Sequence, residues 1–322
     1  MELWQALNLA HDRALAADDA VFVLGEDVGL FGGSYRVTQG LYAKYGEWRV
    51  RDAPISENSF TGLGVGAALV GGRPIIEIMT VNFALLALDA IINMAAKMRY
   101  MSGGQLQVPL VLRMPGGVAH QLAAQHSQRL EHTLMNVPGL RLVTPATPQD
   151  AYHHLAQAVR ADDPVVILEH ELLYFHSGPF DEQAGAPPMH AAAVRREGSD
   201  FTLIAYSRMV EVALEAAAQL AEEGLAVEVI DLRSLRPLDR VTLQDSVSKT
   251  HRALVVEEDC RFAGAGAEVA AALNEAAFFE LEAPVGRVGG ADVPTPYNGD
   301  LEAASIPRVG EVVEAVHQWR VD

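Results

Sequence analysis

Short runs of β-branched and apolar residues alternate with longer helical patterns along most of the chain. In the first half, the strand candidates are AVFVLGED, RPIIEIMT, VPLVLRM, LRLVTPA and PVVILEH. Strands that alternate with helices form parallel sheets covered by those helices, so the pattern predicts an α/β fold with mainly parallel sheets. A chain of 322 residues is long enough for about two such domains.

The alternation stops between residues 175 and 197, where glycine and proline are frequent and no period is visible. After this stretch, DFTLIAYS, AVEVIDLR and RALVVEED are strand candidates, separated by the helical patterns MVEVALEAAAQLAEEG and GAEVAAALNEAAFFE. We therefore predict a first domain at residues 1–176, a linker at 177–197 and a second domain at 198–322.

Charge and composition exclude several classes of partner. The net charge of −18 argues against binding to nucleic acid or to an anionic membrane, because both require basic patches. The single cysteine, Cys260, excludes an internal disulfide and fits a reducing compartment. No basic segment precedes an apolar core at the N-terminus, and no apolar run approaches the ~20 residues of a membrane span. We expect no signal peptide, no membrane partner and a cytoplasmic location.

Glu57 stands at the start of a glycine-containing, uncharged stretch, residues 58–72. A carboxylate beside apolar chain is costly to bury unless something pairs with it. One interpretation is a helix start, in which Ser56 or Asn58 is the N-cap and Glu57 favours the helix dipole. That interpretation does not explain the apolar surroundings. Thiamin diphosphate requires such a group, because a carboxyl that hydrogen-bonds its aminopyrimidine promotes the imino tautomer. An aromatic ring such as Phe83 could stack on the pyrimidine.

Three alternate glycines, Gly62, Gly64 and Gly66, suggest a dinucleotide-binding loop, but the spacing fails. The fingerprint G-x-G-x-x-G requires glycine where Ala67 or Leu69 stands. These glycines are predicted instead to allow close approach of a helix to another helix or to a cofactor.

Histidines occur at positions 120, 126 and 132 and as the pair His153 and His154. None has the spacing of a zinc site, and the pair is predicted to face solvent. His126 follows the strand VPLVLRM at a loop-to-helix junction, where α/β sheets carry their ligands. From the pattern alone, His126 is either functional or a cap or core residue.

Several motifs together resemble one family. GEDVGLFGGSYRVTQGLYAKYG, DAPISENSFTGLGVGAALVGGRPIIEIMTVNF, AAKMRYMSGGQ, AAQHSQRLE and DPVVILEHELLY are similar to the β subunit of the E1 component of thiamin diphosphate-dependent 2-oxoacid dehydrogenase complexes. VEVIDLRSLRPLD and VVEEDCRFAGAGAEV resemble the transketolase C-terminal domain. The resemblance implies a transketolase-like pyrimidine-binding domain followed by a transketolase C-terminal-like domain. The segment from Glu77 to Gly104 favours the pyruvate and acetoin branches over the branched-chain branch.

The resemblance also assigns site residues. It implies that Glu57 contacts the pyrimidine, that Met79 and Phe83 line it, and that His126 is the active-site histidine. Some family members also bind a potassium ion through carbonyls. The corresponding positions here are Leu110, Ala158, Val159, Ala161 and Asp163.

Thiamin enzymes hold the diphosphate through a divalent metal bound by a Gly-Asp-Gly motif, and this chain contains no such string. The resemblance therefore implies that an E1 α subunit supplies the Mg²⁺ and diphosphate half of the site, in a heterotetramer of two α and two β chains. The implied reaction is oxidative decarboxylation of pyruvate, a small 2-oxoacid, with transfer of the acetyl unit to a lipoyl-bearing E2 acyltransferase. Acetoin or branched-chain 2-oxoacid dehydrogenation is the alternative activity. A non-catalytic module that docks E2 is the alternative of another class.

Overall fold

The computed structural model of the chain describes residues 1–118 and 120–320. The chain separates into two compact units, and each unit is formed by two segments. The first unit consists of Met1–Gly116 and Thr133–Met189. The second consists of Gly117–His132 and the chain from His190 onward. The predicted α/β fold with mainly parallel sheets is confirmed in both units.

Six strands of the first unit lie side by side, and all of them are parallel. They are β1 (Val21–Gly25), β2 (Val50–Asp52), β3 (Arg73–Glu77), β4 (Val111–Gly116), β5 (Arg141–Val143) and β6 (Val165–His170). Their spatial order is β5-β6-β4-β3-β1-β2. Gly25 of β1 is in register with both Asp52 of β2 and Glu77 of β3, so these three strands end at the same level.

Helices flank these strands. They are α1 (Leu3–Ala17), α2 (Leu41–Tyr45), α3 (Glu57–Leu69), α4 (Ala84–Leu88), α5 (Met98–Met101), α6 (Glu131–Met135) and α7 (Pro148–Ala158). The string TPQD at residues 147–150, a polar cap followed by proline, predicts a helix start, and α7 begins there, with the Thr147 side chain accepting a hydrogen bond from the N–H of Asp150. It packs against α1 over a wide buried face. That face includes His153 and His154, so the prediction that this pair faces solvent is wrong.

Helix α3 packs directly on strand β3. A Cβ atom on Gly64 would lie 2.8 Å from two side-chain carbons of Ile76. Nothing lies within 4 Å of the corresponding positions on Gly62 and Gly66. The close approach predicted for the glycine series therefore occurs at Gly64, where the neighbour is a strand.

The segment Val81–Met101 differs from the sequence prediction in two ways. It joins a 3₁₀ turn, α4, a π-helical stretch Asp89–Ala95 and α5, and its 21 residues are long and apolar enough to cross a membrane by length and composition alone. Only 44% of its most apolar window is buried, and Leu85, Leu86 and Met94 are exposed. The expectation that no run reaches this length was therefore wrong. The segment is apolar nearly all round, which predicts a helix buried between layers, and this prediction is also wrong. One such segment is weak evidence for a membrane span, since a core helix of a soluble protein meets the same criteria.

The second unit contains a five-stranded sheet in the order β12-β11-β8-β9-β7. Its strands are β7 (Ala193–Arg196), β8 (Phe201–Ala205), β9 (Val227–Asp231), β11 (Ala253–Cys260) and β12 (Gly286–Gly290). The short strand β10 (Ser234–Arg236) is not part of this sheet. Within this sheet only β7 runs antiparallel to its neighbour, and it lies inside the stretch predicted as a linker. The helices are α8 (Met209–Glu222), α9 (Arg240–Thr250), α10 (Ala265–Ala277), α11 (Gly299–Ala304) and α12 (Val309–Trp319).

Candidate active site

The carboxyl ends of β1, β2 and β3 form one edge of the first unit, and chemistry-bearing residues follow each of them. Glu26 comes directly after β1, Glu57 follows β2 as the first residue of α3, and Met79 and Phe83 follow β3. Parallel α/β sheets bind their ligands at this edge. The structure thus brings Glu57, Met79 and Phe83, three of the residues expected from the sequence, to neighbouring strand ends.

Glu57 is a buried carboxylate with only 3% of its surface exposed. Ser56 stands at the N-cap position, but its hydroxyl donates to the carbonyl of Pro54 at 3.1 Å and makes no capping bond. The chain leading to Glu57 is fixed by the N–H of Ala53, which donates to the carbonyl of Gly25 at 2.8 Å. The first turn of a helix favours negative charge, which offsets part of the cost of burying Glu57. A capping role alone would not require burial.

Glu26 is a site residue that the sequence prediction missed. It is 5% exposed, and its Oε1 atom is buried without a hydrogen-bond partner among the described residues. Burial raises the pKa of Glu26 to about 7, and the charges of Glu57, Asp27 and Glu77 add to the effect. A carboxyl group next to Glu57 can therefore hold a proton at neutral pH. The available signal was its position immediately after an apolar strand.

Met79 and Phe83 offer half-buried soft and aromatic surfaces at the same edge. Phe83 ends a 3₁₀ turn, and its N–H donates to the carbonyl of Thr80 at 3.0 Å. The buried hydroxyl of Thr80 donates to Oδ1 of Asn82 at 2.8 Å, which tightens the turn. An aromatic ring and a thioether held in this way can pack on a planar heterocycle.

A buried ion cluster spans the neighbouring strands β3, β4 and β6. Arg113 of β4 is fully buried, and its Nε donates to Oε1 of Glu169 at 2.7 Å. The same guanidinium binds Glu77 of β3, and the hydroxyl of Tyr174 donates to Glu169. One guanidinium thus binds two carboxylates inside the sheet. One of these carboxylates, Glu77, contributes to the raised pKa of Glu26.

His126 belongs to the second unit, whereas Glu57 belongs to the first. It is exposed and ends the short 3₁₀ turn Ala124–His126, in the loop that follows β4. Three residues shortly before it have positive φ although none is glycine: His120, Gln121 and Ala123. Such conformations are costly and occur preferentially at functional sites.

Two of the carbonyls considered for potassium contact a side chain of this chain. Arg73 Nη1 donates to the carbonyls of Val159 and Ala161, at 2.9 and 3.2 Å. The carbonyls of Leu110 and Ala158 accept backbone N–H groups, and the side chain of Asp163 pairs with Arg99 at 2.7 Å. Potassium binding stays a prediction.

Metal-ligating clusters are absent from residues 1–118 and 120–320. No group of three or more His, Cys, Asp or Glu side chains there is arranged to hold an ion.

Two protein-family models match the chain. The transketolase pyrimidine-binding domain matches residues 1–176, and the transketolase C-terminal domain matches residues 190–312. Together they span most of the sequence.

Curated relatives match over nearly the whole chain. Pyruvate dehydrogenase E1 component subunit beta-1 (mitochondrial) of Arabidopsis thaliana is 49% identical, over 98% of this chain and 88% of its own length. Pyruvate dehydrogenase E1 component subunit beta of Porphyra purpurea is 48% identical, over 98% and 95%. The mitochondrial subunit of Drosophila melanogaster is also 48% identical, over 98% and 88%.

A solved structure supports the fold. A split-gene transketolase, described as an inactive beta4 tetramer, superimposes with a TM-score of 0.81. It covers 98% of this chain and 96% of its own, at 24% identity.

Proposed function

Because the chain belongs to the family of pyruvate dehydrogenase E1 component β subunits, with their transketolase-like domains, we propose that it forms the cofactor-activating half of such an enzyme. One observation carries the proposal. A buried carboxyl group, on Glu57, lies at the same strand edge as Phe83 and Met79, beside Glu26, whose Oε1 atom has no hydrogen-bond partner among the described residues. This donor and acceptor set fits the aminopyrimidine of thiamin diphosphate.

Thiamin diphosphate, when bound, would supply the nucleophilic carbon and the electron sink that decarboxylation of a 2-oxoacid requires. Glu57 would hold the pyrimidine by a hydrogen bond from its carboxyl group and so favour the reactive tautomer. Glu26 would keep a proton available beside it. Met79 and Phe83 would pack on the ring and exclude water.

A second chain is needed to complete the site. No Gly-Asp-Gly string is present in the sequence, so an E1 α subunit would supply the Mg²⁺ and diphosphate contacts. Exposed apolar side chains in the first unit, such as Ile55, Leu63 and Leu86, are suited to contact with a partner chain. We propose a heterotetramer of two α and two β chains that passes its acetyl unit to a lipoyl-bearing E2 acyltransferase.

His126 would serve a later step than Glu57. An imidazole can donate a proton near neutral pH, which suits delivery to the lipoyl dithiolane as it opens. Its exposure fits contact with a large incoming group rather than with a buried cofactor.

Pyruvate is the proposed substrate because the relatives are named as pyruvate dehydrogenase subunits. Acetoin and branched 2-oxoacids are the alternative substrates. The compartment also stays a proposal. Our expectation is a cytoplasmic location, whereas the relatives from Arabidopsis thaliana and Drosophila melanogaster are named as mitochondrial.

The decisive experiment combines the chain with its α partner and measures cofactor activation and acetyl transfer separately. Decarboxylation of pyruvate, acetoin and branched 2-oxoacids would be measured with an artificial electron acceptor. Exchange of the cofactor C2 proton would be followed by NMR after acid quench. Glu57→Gln should slow C2 exchange by roughly 10²–10⁴-fold while the tetramer still assembles. Glu47→Gln, at an exposed glutamate of the same unit, is the control and should change neither rate.

His126→Ala should give the opposite result. C2 exchange should persist, while acetyl transfer to lipoyl falls by orders of magnitude. If Glu57→Gln leaves exchange unchanged and only weakens assembly, Glu57 is a structural residue and the proposal fails. If His126→Ala abolishes both rates, the proposed division of labour is wrong.

A further inference from the structure

The loop that carries His126 is closed at its base by a single carboxylate of the second unit. The N–H of Val118 donates to Oε1 of Glu258 at 2.6 Å. Arg129 Nη1 donates to the same Oε1 atom at 3.3 Å. Val118 precedes His126 and Arg129 follows it, so one oxygen atom joins the two arms of the loop.

Glu258 is well placed to act as a fixed anchor. It lies in β11, a strand of the five-stranded sheet, and it is only 5% exposed. Arg129 is 8% exposed at its side chain, and Arg208 Nη1 lies 3.9 Å from the other carboxylate oxygen of Glu258. Charge-assisted hydrogen bonds to a buried carboxylate are among the stronger ones in proteins.

The loop needs such anchors because its backbone is strained. His120, Gln121 and Ala123 all adopt positive φ, a backbone conformation that is costly for residues other than glycine. A conformation of this kind persists only where the surroundings hold it in place.

Other contacts hold single points of the loop. The N–H of Gln121 donates to Glu302 at 2.9 Å, and His132 Nδ1 lies 2.6 Å from Oδ2 of Asp259. Neither contact joins the two arms. Glu258, by contrast, contacts both arms through one oxygen atom.

We propose that Glu258 is a positioning residue for His126, acting by holding together the two arms of residues 117–132. The proposal rests on the proposed function, since it assigns His126 to acetyl transfer. Loss of Glu258 should release the loop and impair the step that uses His126. The Glu57 step, which belongs to the first unit, should continue.

Three variants in the assembled heterotetramer test this. Glu258→Ala removes both bonds. Glu258→Gln keeps an amide oxygen that can accept the Val118 N–H but loses the charge that pairs with Arg129. Glu257→Gln is the matched control, because Glu257 is the neighbouring buried residue of β11 and binds the N–H of Gly266 and Arg287, at 2.8 and 2.7 Å.

Hydrogen–deuterium exchange of peptides from residues 117–132 reports the anchor without any catalytic assay. Exchange there should rise about 10-fold to 100-fold in Glu258→Ala, less in Glu258→Gln, and not in Glu257→Gln. The rate constant for acetyl transfer to lipoyl should fall over the same range and in the same order, with C2 exchange unchanged. Partial recovery of loop protection and of acetyl transfer in Glu258→Gln would distinguish a positioning role from a general loss of stability. If Glu258→Ala does not fold, Glu258→Gln still tests the proposal.

Each contrary result has a distinct meaning. Unchanged loop exchange in Glu258→Ala overturns the proposed anchor, whatever the enzyme does. Faster loop exchange with normal acetyl transfer overturns the positioning role and leaves the proposed function intact. If the wild-type heterotetramer does not turn over pyruvate, the proposed function fails and the positioning role fails with it, while loop exchange still reports whether Glu258 holds the loop.

Discussion

The three alternate glycines of α3 should respond differently to the same substitution. Gly64 faces β3, where a new Cβ atom would lie 2.8 Å from Cγ1 and Cδ1 of Ile76 and 3.4 Å from Leu110. Gly62 and Gly66 have open space at the same position. Comparing the stability of the three alanine variants therefore separates the contribution of helix propensity from that of packing.

The expected magnitudes follow from two opposing effects. Alanine in place of glycine inside a helix stabilises by about 1 kcal/mol, and Gly62→Ala and Gly66→Ala should show this gain. Gly64→Ala has the same gain but forces a fully buried Ile76 to move, and overpacking of a core typically costs about 1–3 kcal/mol. The net expectation for Gly64→Ala is a destabilisation of about 1 kcal/mol. Its free energy of unfolding should thus lie about 2 kcal/mol below that of either neighbouring variant.

Urea denaturation can measure this in the first unit alone. Trp4 and Trp48 lie in the first unit and Trp319 in the second, so fluorescence in a Trp319→Phe background follows the unit that contains α3. Adding Ile76→Val, which deletes the Cδ1 atom, should recover part of the loss in Gly64→Ala, as a favourable coupling energy in a double-mutant cycle. If Gly64→Ala stabilises as much as its neighbours, the close approach of α3 to β3 does not require glycine, and the reasoning is wrong.

Three further outcomes are expected. Burial, followed by the charge of Asp259, raises the pKa of Glu131 from 4.5 to about 8, so the contribution of Glu131 to stability is fully present below pH 4.5 and is lost as the pH rises towards 8. Glu131→Gln should therefore reduce the difference in the free energy of unfolding between pH 5 and pH 8, measured by urea denaturation. Arg113→Met leaves two buried carboxylates without a cation and should lower the free energy of unfolding, measured by urea denaturation, by about 3–5 kcal/mol. Arg99→Met, at a half-exposed ion pair, should lower it by less than about 1 kcal/mol, and equal losses in the two variants would contradict this. In calorimetric titration the isolated chain should bind thiamin diphosphate weakly, and tight Mg²⁺-dependent binding without the α partner would refute the half-site argument.

Local sequence signals were sufficient where a single element determines its own environment. The apolar runs of β1, β3, β4 and β6 are strands in the structure, and α7 begins at the predicted Thr147 cap. Strand β7 escaped prediction because its residues are half-buried and exposed, so they carry no apolar run. Hydropathy likewise could not tell that the helical segment after β3 has an exposed apolar side, because composition does not specify which neighbours cover a helix.

Site residues could be predicted where neighbouring residues in the sequence mark them, and not where their role depends on distant parts of the chain. Glu57 was recognisable because a lone carboxylate precedes an uncharged stretch. Glu26 looks like an ordinary loop residue in the sequence, and its burial arises from the strands on either side of β1. Glu258 was beyond reach, since its partner Val118 lies 140 positions away along the chain.

That separation has a consequence for synthesis on the ribosome. At about 5–20 residues per second, Glu258 is added roughly 7 to 28 s after Val118, the 140 positions between them taking that long. During this interval the first unit can form its strands β1 to β6, but the two Glu258 hydrogen bonds that join the arms of residues 117–132 cannot yet form. The nascent chain therefore carries this loop without those bonds until β11 has been made. A ribosome stalled before residue 258 should hold a chain that proteases cleave first within this loop.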